Sequence, residues 1–320
     1  MLNFTLFTHR AAASLSGRFL AAVVFVMSAI SMSAQLSLTN GSPSATIDFS
    51  SSMQTSVGSN PAEAFAGTGF SPNPTTAGRL NSNAWAVGGM SDAGGAFGGT
   101  STSGDFARGA VNAVQTSGGI YAFTGAPGST ANPMLMIQPT AQDWTPGNLT
   151  LRIRNNGTSN ITELTVAYNI YIRNDGGWGN TFNFSHSADN STYIPVGALD
   201  YTSPVAVGVS SFVLVGTAPS RTTTITGLSI APGDFYYIRW SGDDVPGGSG
   251  SRDEFGLDDI SVTATFGGAA PAIQLAITSI APASPYQAEQ FSITVQSRDA
   301  SNAPANVVAN TDVVISLNTG

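Results

Sequence analysis

From residue 148 onward, apolar and polar side chains take turns along the chain. Leu149, Leu151 and Ile153 fall on one side of a period-two pattern, and Thr150, Arg152 and Arg154 on the other. The same period runs through Leu164, Val166, Tyr168, Ile170 and Ile172, opposed by Thr165, Ala167, Asn169, Tyr171 and Arg173. Successive strand residues point to opposite faces, so this pattern predicts strands with one buried face. The Asn155-Asn156-Gly157 turn between the two runs predicts that they pair as a hairpin. Shorter runs predict strands at 181–185, 211–215, 222–226, 235–240 and 260–266, with turns such as Asn174-Asp175-Gly176-Gly177 between them. Residues 45–49 and 120–123 carry weaker strand patterns within a stretch rich in Gly, Ser, Ala and Asn.

Many short strands at this spacing predict an all-β fold, a jelly-roll (lectin-like) β-sandwich over residues 35–266. Residues 267–271 (GGAAP) read as a linker. Alternation restarts at Ile273, Leu275 and Ile277, continues through Phe291, Ile293 and Val295, and ends at Val313, Ile315 and Leu317. An immunoglobulin-like sandwich takes about 100 residues. Residues 272–320 are therefore expected to form a partial immunoglobulin-like β-sandwich of a longer polypeptide.

Composition narrows the function classes. Only 9% of the residues are charged, against roughly 25% in an ordinary soluble domain, while 42% are hydrophobic. That combination favours a packed core over disorder. The net charge is -8, and all 11 basic residues are arginines scattered along the chain. A nucleic-acid partner, which needs clustered positive charge, is disfavoured. The chain has no cysteine, which rules out disulfides, thiolate metal sites and cysteine nucleophiles.

Residues 1–34 have the layout of a signal peptide. His9, Arg10 and Arg18 form a positive region, residues 19–30 a short apolar stretch, and Ser31-Met32-Ser33-Ala34 a small-residue cleavage site before Gln35. The apolar stretch is shorter than the about 20 residues a membrane span needs. The mature protein is expected to be secreted or at the cell surface, without membrane insertion after cleavage.

Six of the 19 acidic residues fall between Trp240 and Phe266: Asp243, Asp244, Asp253, Glu254, Asp258 and Asp259. Crowded carboxylates repel one another unless a cation or an arginine sits among them. One reading is a calcium site, since calcium takes 6–8 oxygen ligands, often from Asp-rich loops. The other is a solvated turn neutralised by Arg252 and Arg239. Asp258 and Asp259 are adjacent, so on a regular strand they point to opposite faces and share a site only across a bulge.

Catalysis is hard to build from this inventory. Apart from His9, the only histidine is His186, at the end of a predicted strand, which leaves little for a Ser-His-Asp triad or a histidine zinc site. Glycoside hydrolysis needs two carboxylates, which the acidic loop could supply. Aromatic residues offer a sugar platform instead. Trp178 is flanked by glycines and joins Tyr171 and Tyr201 as a candidate ligand contact, whereas Trp240 shares a strand face with Tyr236 and Ile238 and belongs in the core.

Taken as a set, GRLNSNAWAVGG (78–89), GDFARGA (104–110), GGIYAF (118–123), LTLRIRNNGTSNITELTVAYNIYIRND (149–175), FYYIRWSGDD (235–244) and SGSRDEFGLDDISV (249–262) resemble a known module. It is the β-sandwich module near the N-terminus of large secreted bacterial surface proteins, many of them exported by the type IX system. The resemblance spans about residues 40–266. From Ile273 the chain resembles the start of a bacterial immunoglobulin-like or filamin-like repeat. The resemblance implies fold and location and assigns no ligand. The expected function is non-catalytic adhesion or glycan binding on loops at one end of the sandwich. An extracellular glycan or surface protein is the expected partner, and calcium the only cofactor. A structural spacer and a calcium-dependent glycoside hydrolase are the alternatives.

Overall fold

The computed structural model describes residues 35–268, 272–284 and 292–299, with scattered positions from 290 to 307. The expected signal peptide and the alternation at 313–317 lie outside the described residues. The described chain is all β, with two single-turn 3-10 segments. Its strands of three residues or more are β1 (Leu36–Leu38), β2 (Ser44–Ile47), β3 (Trp85–Gly88), β4 (Gly119–Phe123), β5 (Met134–Gln138), β6 (Gly147–Asn155) and β7 (Ile161–Arg173). They continue with β8 (Thr181–Ser187), β9 (Arg221–Ile225), β10 (Phe235–Gly242), β11 (Glu254–Phe266), β12 (Gln274–Ala281) and β13 (Ser292–Arg298).

Two sheets build a sandwich. In the first, β6 lies at the centre with β10 on one side, and β8 follows β10. The other edge of β6 is shared by β3, antiparallel, and β1, parallel. In the second sheet β11 is central, with β7 on one side and β5 and β2 sharing the other. β4 extends this sheet beyond β5, and β9 beyond β7.

The alternating residues explain the stacking. Leu149, Leu151 and Ile153 of β6, Ile238 and Trp240 of β10, and Phe182 and Phe184 of β8 turn inward. They meet Leu164, Val166, Tyr168 and Ile170 of β7 and Phe255, Leu257, Ile260 and Val262 of β11 in one buried cluster. Tyr168, Phe184 and Trp240 contact one another ring to ring across the two sheets. Each of these large side chains contributes about 1.5–3 kcal/mol by leaving water.

The expected hairpin between β6 and β7 does not form. β6 pairs with β10 and β7 with β11, in different sheets. Both strands carry a fully apolar face, and facing each other across the core buries both faces, which side-by-side pairing would not. Asn155 anchors the crossing: its side-chain amide donates to the Ser159 and Ile230 carbonyls, and its Oδ1 accepts the Gly157 N–H.

A bulge interrupts β11. Tyr168 of β7 faces two residues, Asp259 and Ile260, because the register shifts between Ala167 and Asn169. Asp259 takes a positive φ of 49°, the left-handed conformation of a bulge residue. The extra residue resets the alternation, so Phe255 and Leu257 before it, and Ile260 and Val262 after it, all point inward.

β12 and β13 pair only with each other. Leu275 and Ile277 of this hairpin are exposed.

Candidate functional site

The outward faces of β6, β10 and β8 carry a polar surface. Cross-strand pairing aligns Asn148, Ser241 and Asn183 in one row, and Thr150, Arg239 and Ser185 in the next. Arg152 and Tyr237 pair in the row beyond. These positions alternate with the core residues, so the strand period that fills the interior also fixes this display.

A cleft of about 400 Å³ opens on the first two rows, lined by Asn148, Asn183, Ser185, Arg239 and Ser241, with Asp243 at one end and Tyr193 above. Arg239 is held on two sides. Its Nε donates to Thr150 Oγ1 at 2.9 Å, and its guanidinium carbon lies 3.5 Å from the Tyr193 ring centroid. Tyr193 stands on a turn tied by Asp189, whose Oδ1 accepts the Ser191 and Thr192 N–H groups and the Ser187 hydroxyl. Those backbone donors hold the exposed Asp189 carboxyl well below the usual carboxylate range. Burial lowers the Arg239 pKa from its ordinary value.

The floor of the cleft needs glycine. Gly147 and Gly242 pair across β6 and β10, and the Trp144 indole runs beneath them. A Cβ on Gly242 would lie 2.0 Å from Trp144 Nε1 and 2.7 Å from the Thr181 carbonyl. Beyond the cleft, Arg152 is sandwiched between Phe97 and Phe235, 4.8 and 4.5 Å from the two ring centroids.

A second hollow of about 600 Å³ lies beside Ile194, Leu228, Ile230 and Tyr236. Its lining is mostly apolar, with few hydrogen-bonding groups to orient a ligand. Next to it, His186 Nδ1 and the Tyr236 hydroxyl are 2.7 Å apart and buried. Burial lowers the His186 pKa, as expected for a packing histidine.

The residues singled out from sequence do not form one site. Trp178 is half-buried, with the Arg252 guanidinium over its ring at 4.5 Å and Gly248 pressed against its indole. Tyr201 packs edge-on against Phe255 beneath Arg221. Tyr171 lies on the outer face of the second sheet, beside a small cluster of Tyr121, Phe123, Met134, Met136 and Phe212.

The six acidic residues divide in the same way. Arg252 grips Asp244 in a two-pronged salt bridge, with contacts of 2.7 and 2.5 Å. Exposed Asp243 accepts the Asp244 N–H. Asp253 is buried and accepts the Gly176 N–H, and burial pushes its pKa up to about 6. Glu254 is buried 3.1 Å from Arg173. Burial and the nearby Asp175 raise its pKa to about 8, and Arg173 opposes them. Asp258 is buried with its Oδ1 accepting the Asp259 N–H, and burial, with Asp259 and Asp48 adding repulsion, raises it to about 8. Asp259 accepts from Asn169 Nδ2 at 2.8 Å. The bulge thus places Asp258 and Asp259 on one face near Tyr171, the juxtaposition a regular strand would forbid. Among the described residues, no three His, Asp or Glu side chains gather closely enough to hold a metal ion.

Sequence reasoning missed Asn148, Asn183, Tyr193 and Arg239. The outward set on β6 was readable in the alternation. Its junction with β8 through β10 depends on strand order, which local patterns do not encode.

No protein-family model matches the chain, and no curated protein matches it. Solved structures give distant similarities. The carbohydrate-binding module TmCBM61 in complex with β-1,4-galactotriose is 10% identical with a TM-score of 0.28, over 46% of this chain and 82% of that one. A CBM4 structure is 13% identical with a TM-score of 0.26, over 58% of this chain and 97% of that one. The K3 cleaved adhesin domain of Lys-gingipain from Porphyromonas gingivalis is 12% identical with a TM-score of 0.24, over 44% and 78%. Similarities this low assign no ligand to the chain. No helix among the described residues is long and apolar enough to cross a membrane.

Proposed function

We propose that this chain is a non-catalytic, extracellular glycan-binding module, and that the glycan lies along the outward face of β6, β10 and β8. The observation that supports this reading is the cleft itself. Amide, hydroxyl and guanidinium groups converge there on a sheet whose other face is the core, so they are held without a ligand. Tyr193, Tyr237 and Phe97 add aromatic surface along the same face, suited to sugar rings. The reading moves the ligand from the loops at one end of the sandwich to a sheet face.

Hydrolysis finds less support. Asp243 is the single carboxylate among the residues that line the cleft, and glycoside hydrolysis uses two.

Glycan-array screening of the purified chain tests the proposal. Binding to a defined set of glycans is expected, and the Asn183→Ala/Ser241→Ala double variant should lose it while melting as the parent does. An array with no glycan bound would favour a structural spacer. Binding that survives the double variant would move the site elsewhere.

A further inference from the structure

The cleft face gathers positive charge in a chain whose net charge is -8; Arg79 and Arg221 also have neutral partners but lie elsewhere. Arg152, Arg154 and Arg239 all project from the outward face of β6 and β10. Salt bridges among the described residues take up Arg108, Arg173 and Arg252, and none reaches these three. What holds them is neutral. Arg239 has Thr150 and the Tyr193 ring, Arg152 has the Phe97 and Phe235 rings, and Arg154 has the Gly233 carbonyl and the Phe235 ring.

Two of these guanidiniums are also partly desolvated. Burial lowers the pKa of both Arg152 and Arg239, and Arg154 pushes Arg152 further in that direction. Arg152 Nε is buried with no hydrogen-bond partner. Aromatic faces fix a guanidinium plane but leave its edge donors free, and that fork matches an oxyanion. Partly buried positive charge that no salt bridge engages, beside a cleft whose single lining carboxylate is Asp243 at one end, gains from an anionic ligand. Thr150 pairs with Arg239 and Arg152 with Tyr237, so the two arginines are diagonal neighbours one strand repeat apart. That repeat is about 7 Å, a spacing that one extended oligosaccharide can follow.

We propose that the glycan bound by this face is an acidic polysaccharide, with a sugar-borne oxyanion received by Arg239 and a second by Arg152. The inference rests on the glycan-binding reading and names the chemical class of its ligand. A uronate carboxylate and a sugar sulfate share the chemistry the arginines recognise.

Isothermal titration of the purified chain with three polymers tests it: a polyuronate, a sulfated galactan and a neutral galactan. One of the acidic polymers is expected to bind at least about tenfold more tightly than the neutral one, the scale of one charge-assisted hydrogen bond. Whichever acidic polymer binds identifies the anion. Its affinity should fall between 50 and 300 mM salt, because these half-buried charges still reach solvent and are screened there. Arg239→Gln should lose about tenfold or more for the acidic polymer. Arg239→Lys, which keeps the charge and drops the fork, should recover part of it. Thermal melts check that both variants are folded, and the salt dependence of the parent is an independent reading if either is not. Equal affinity for neutral and acidic polymers, or acidic binding indifferent to salt and to Arg239→Gln, overturns the inference and leaves a neutral glycan reader. Absence of binding to any of the three, together with an empty array, overturns both readings.

Discussion

The Tyr193 ring stacks on the Arg239 guanidinium, 3.5 Å from its central carbon, and this stack shapes the cleft. Tyr193 comes from the segment after β8, whereas Arg239 comes from β10, so the contact ties a surface turn to the sheet. A cation–π pair at a partly exposed position contributes about 0.5–1 kcal/mol. Tyr193→Ala should therefore lower the melting temperature little and weaken glycan binding clearly, because Arg239 loses its fixed plane. Tyr193→Phe keeps the ring and should bind nearly as the parent does. Equal losses in both variants would assign the effect to the hydroxyl, which donates to Asn190 Oδ1.

Trp178 is expected to act through packing. Its indole supports Arg252, which in turn holds Asp244. Trp178→Ala should cost on the order of 1–2 kcal/mol in urea unfolding, within the ordinary range for a half-buried aromatic, with glycan affinity unchanged. A variant of parental stability that no longer binds would return the ligand to this loop.

Gly242 is where the cleft floor is tightest. A Cβ there would press into Trp144 and the Thr181 carbonyl, and neither has room to move, because Trp144 is fully buried in the core. Gly242→Ala is expected to destabilise by about 1–3 kcal/mol through overpacking, measured as a lower urea midpoint at an unchanged slope. An unaltered midpoint would mean the strands separate easily at this rung.

Stability should fall as pH rises. Asp258 has a folded pKa of about 8 against an ordinary 3.8, because burial disfavours its charge. Below about pH 4 both the folded and unfolded states hold the proton. Between about pH 4 and 8 the unfolded state releases it and the folded state does not, so unfolding is increasingly favoured. Above the folded pKa the penalty is complete. Glu254, raised to about 8, and Asp253, raised to about 6, act in the same direction. The melting temperature is expected to be higher at pH 5 than at pH 8.5, and Asp258→Asn should remove part of that slope, leaving the share of Glu254 and Asp253. A melting temperature that climbs from pH 5 to 8.5 would show that Asp258 is ionised and stabilised in the folded state.

The dispersal of the acidic residues bears on calcium. Asp244 is engaged by Arg252, Glu254 lies against Arg173, and Asp259 accepts from Asn169. The melting temperature at pH 7 is accordingly expected to be the same in chelator and in millimolar calcium. A calcium-dependent rise that disappears in Asp258→Asn would place the ion at the bulge, where binding to the folded state alone would stabilise it.

Much of the sandwich was legible because its strands alternate cleanly. β10, and β7 from Leu164 onward, show their inward residues in the sequence, and Trp240 sits in the core where its strand face put it; Ile161, before a register shift, is buried out of that phase. Even the bulge leaves a trace: the apolar phase set by Phe255 and Leu257 slips by one residue before Ile260 and Val262. What the pattern could not show is which strands pair. A turn signal at Asn155-Asn156-Gly157 describes a reversal, and a reversal between sheets uses the same residues as one within a sheet. The acidic residues are dispersed for a related reason. Clustered acids in sequence looked like a cluster in space, but alternation, the bulge and two arginines, Arg173 and Arg252, divided them. The face that gathers Asn148, Arg239 and Asn183 is assembled from three distant strands and has no local motif.

Chemical-shift mapping by NMR tests the central claim most directly, with the tightest glycan from the array titrated into labelled protein. The largest changes are expected at the side-chain amides of Asn148 and Asn183 and at the Arg239 guanidinium, with little change at the Trp178 indole. Changes centred on Trp178 and Tyr171, with the Arg239 signal unmoved, would contradict it.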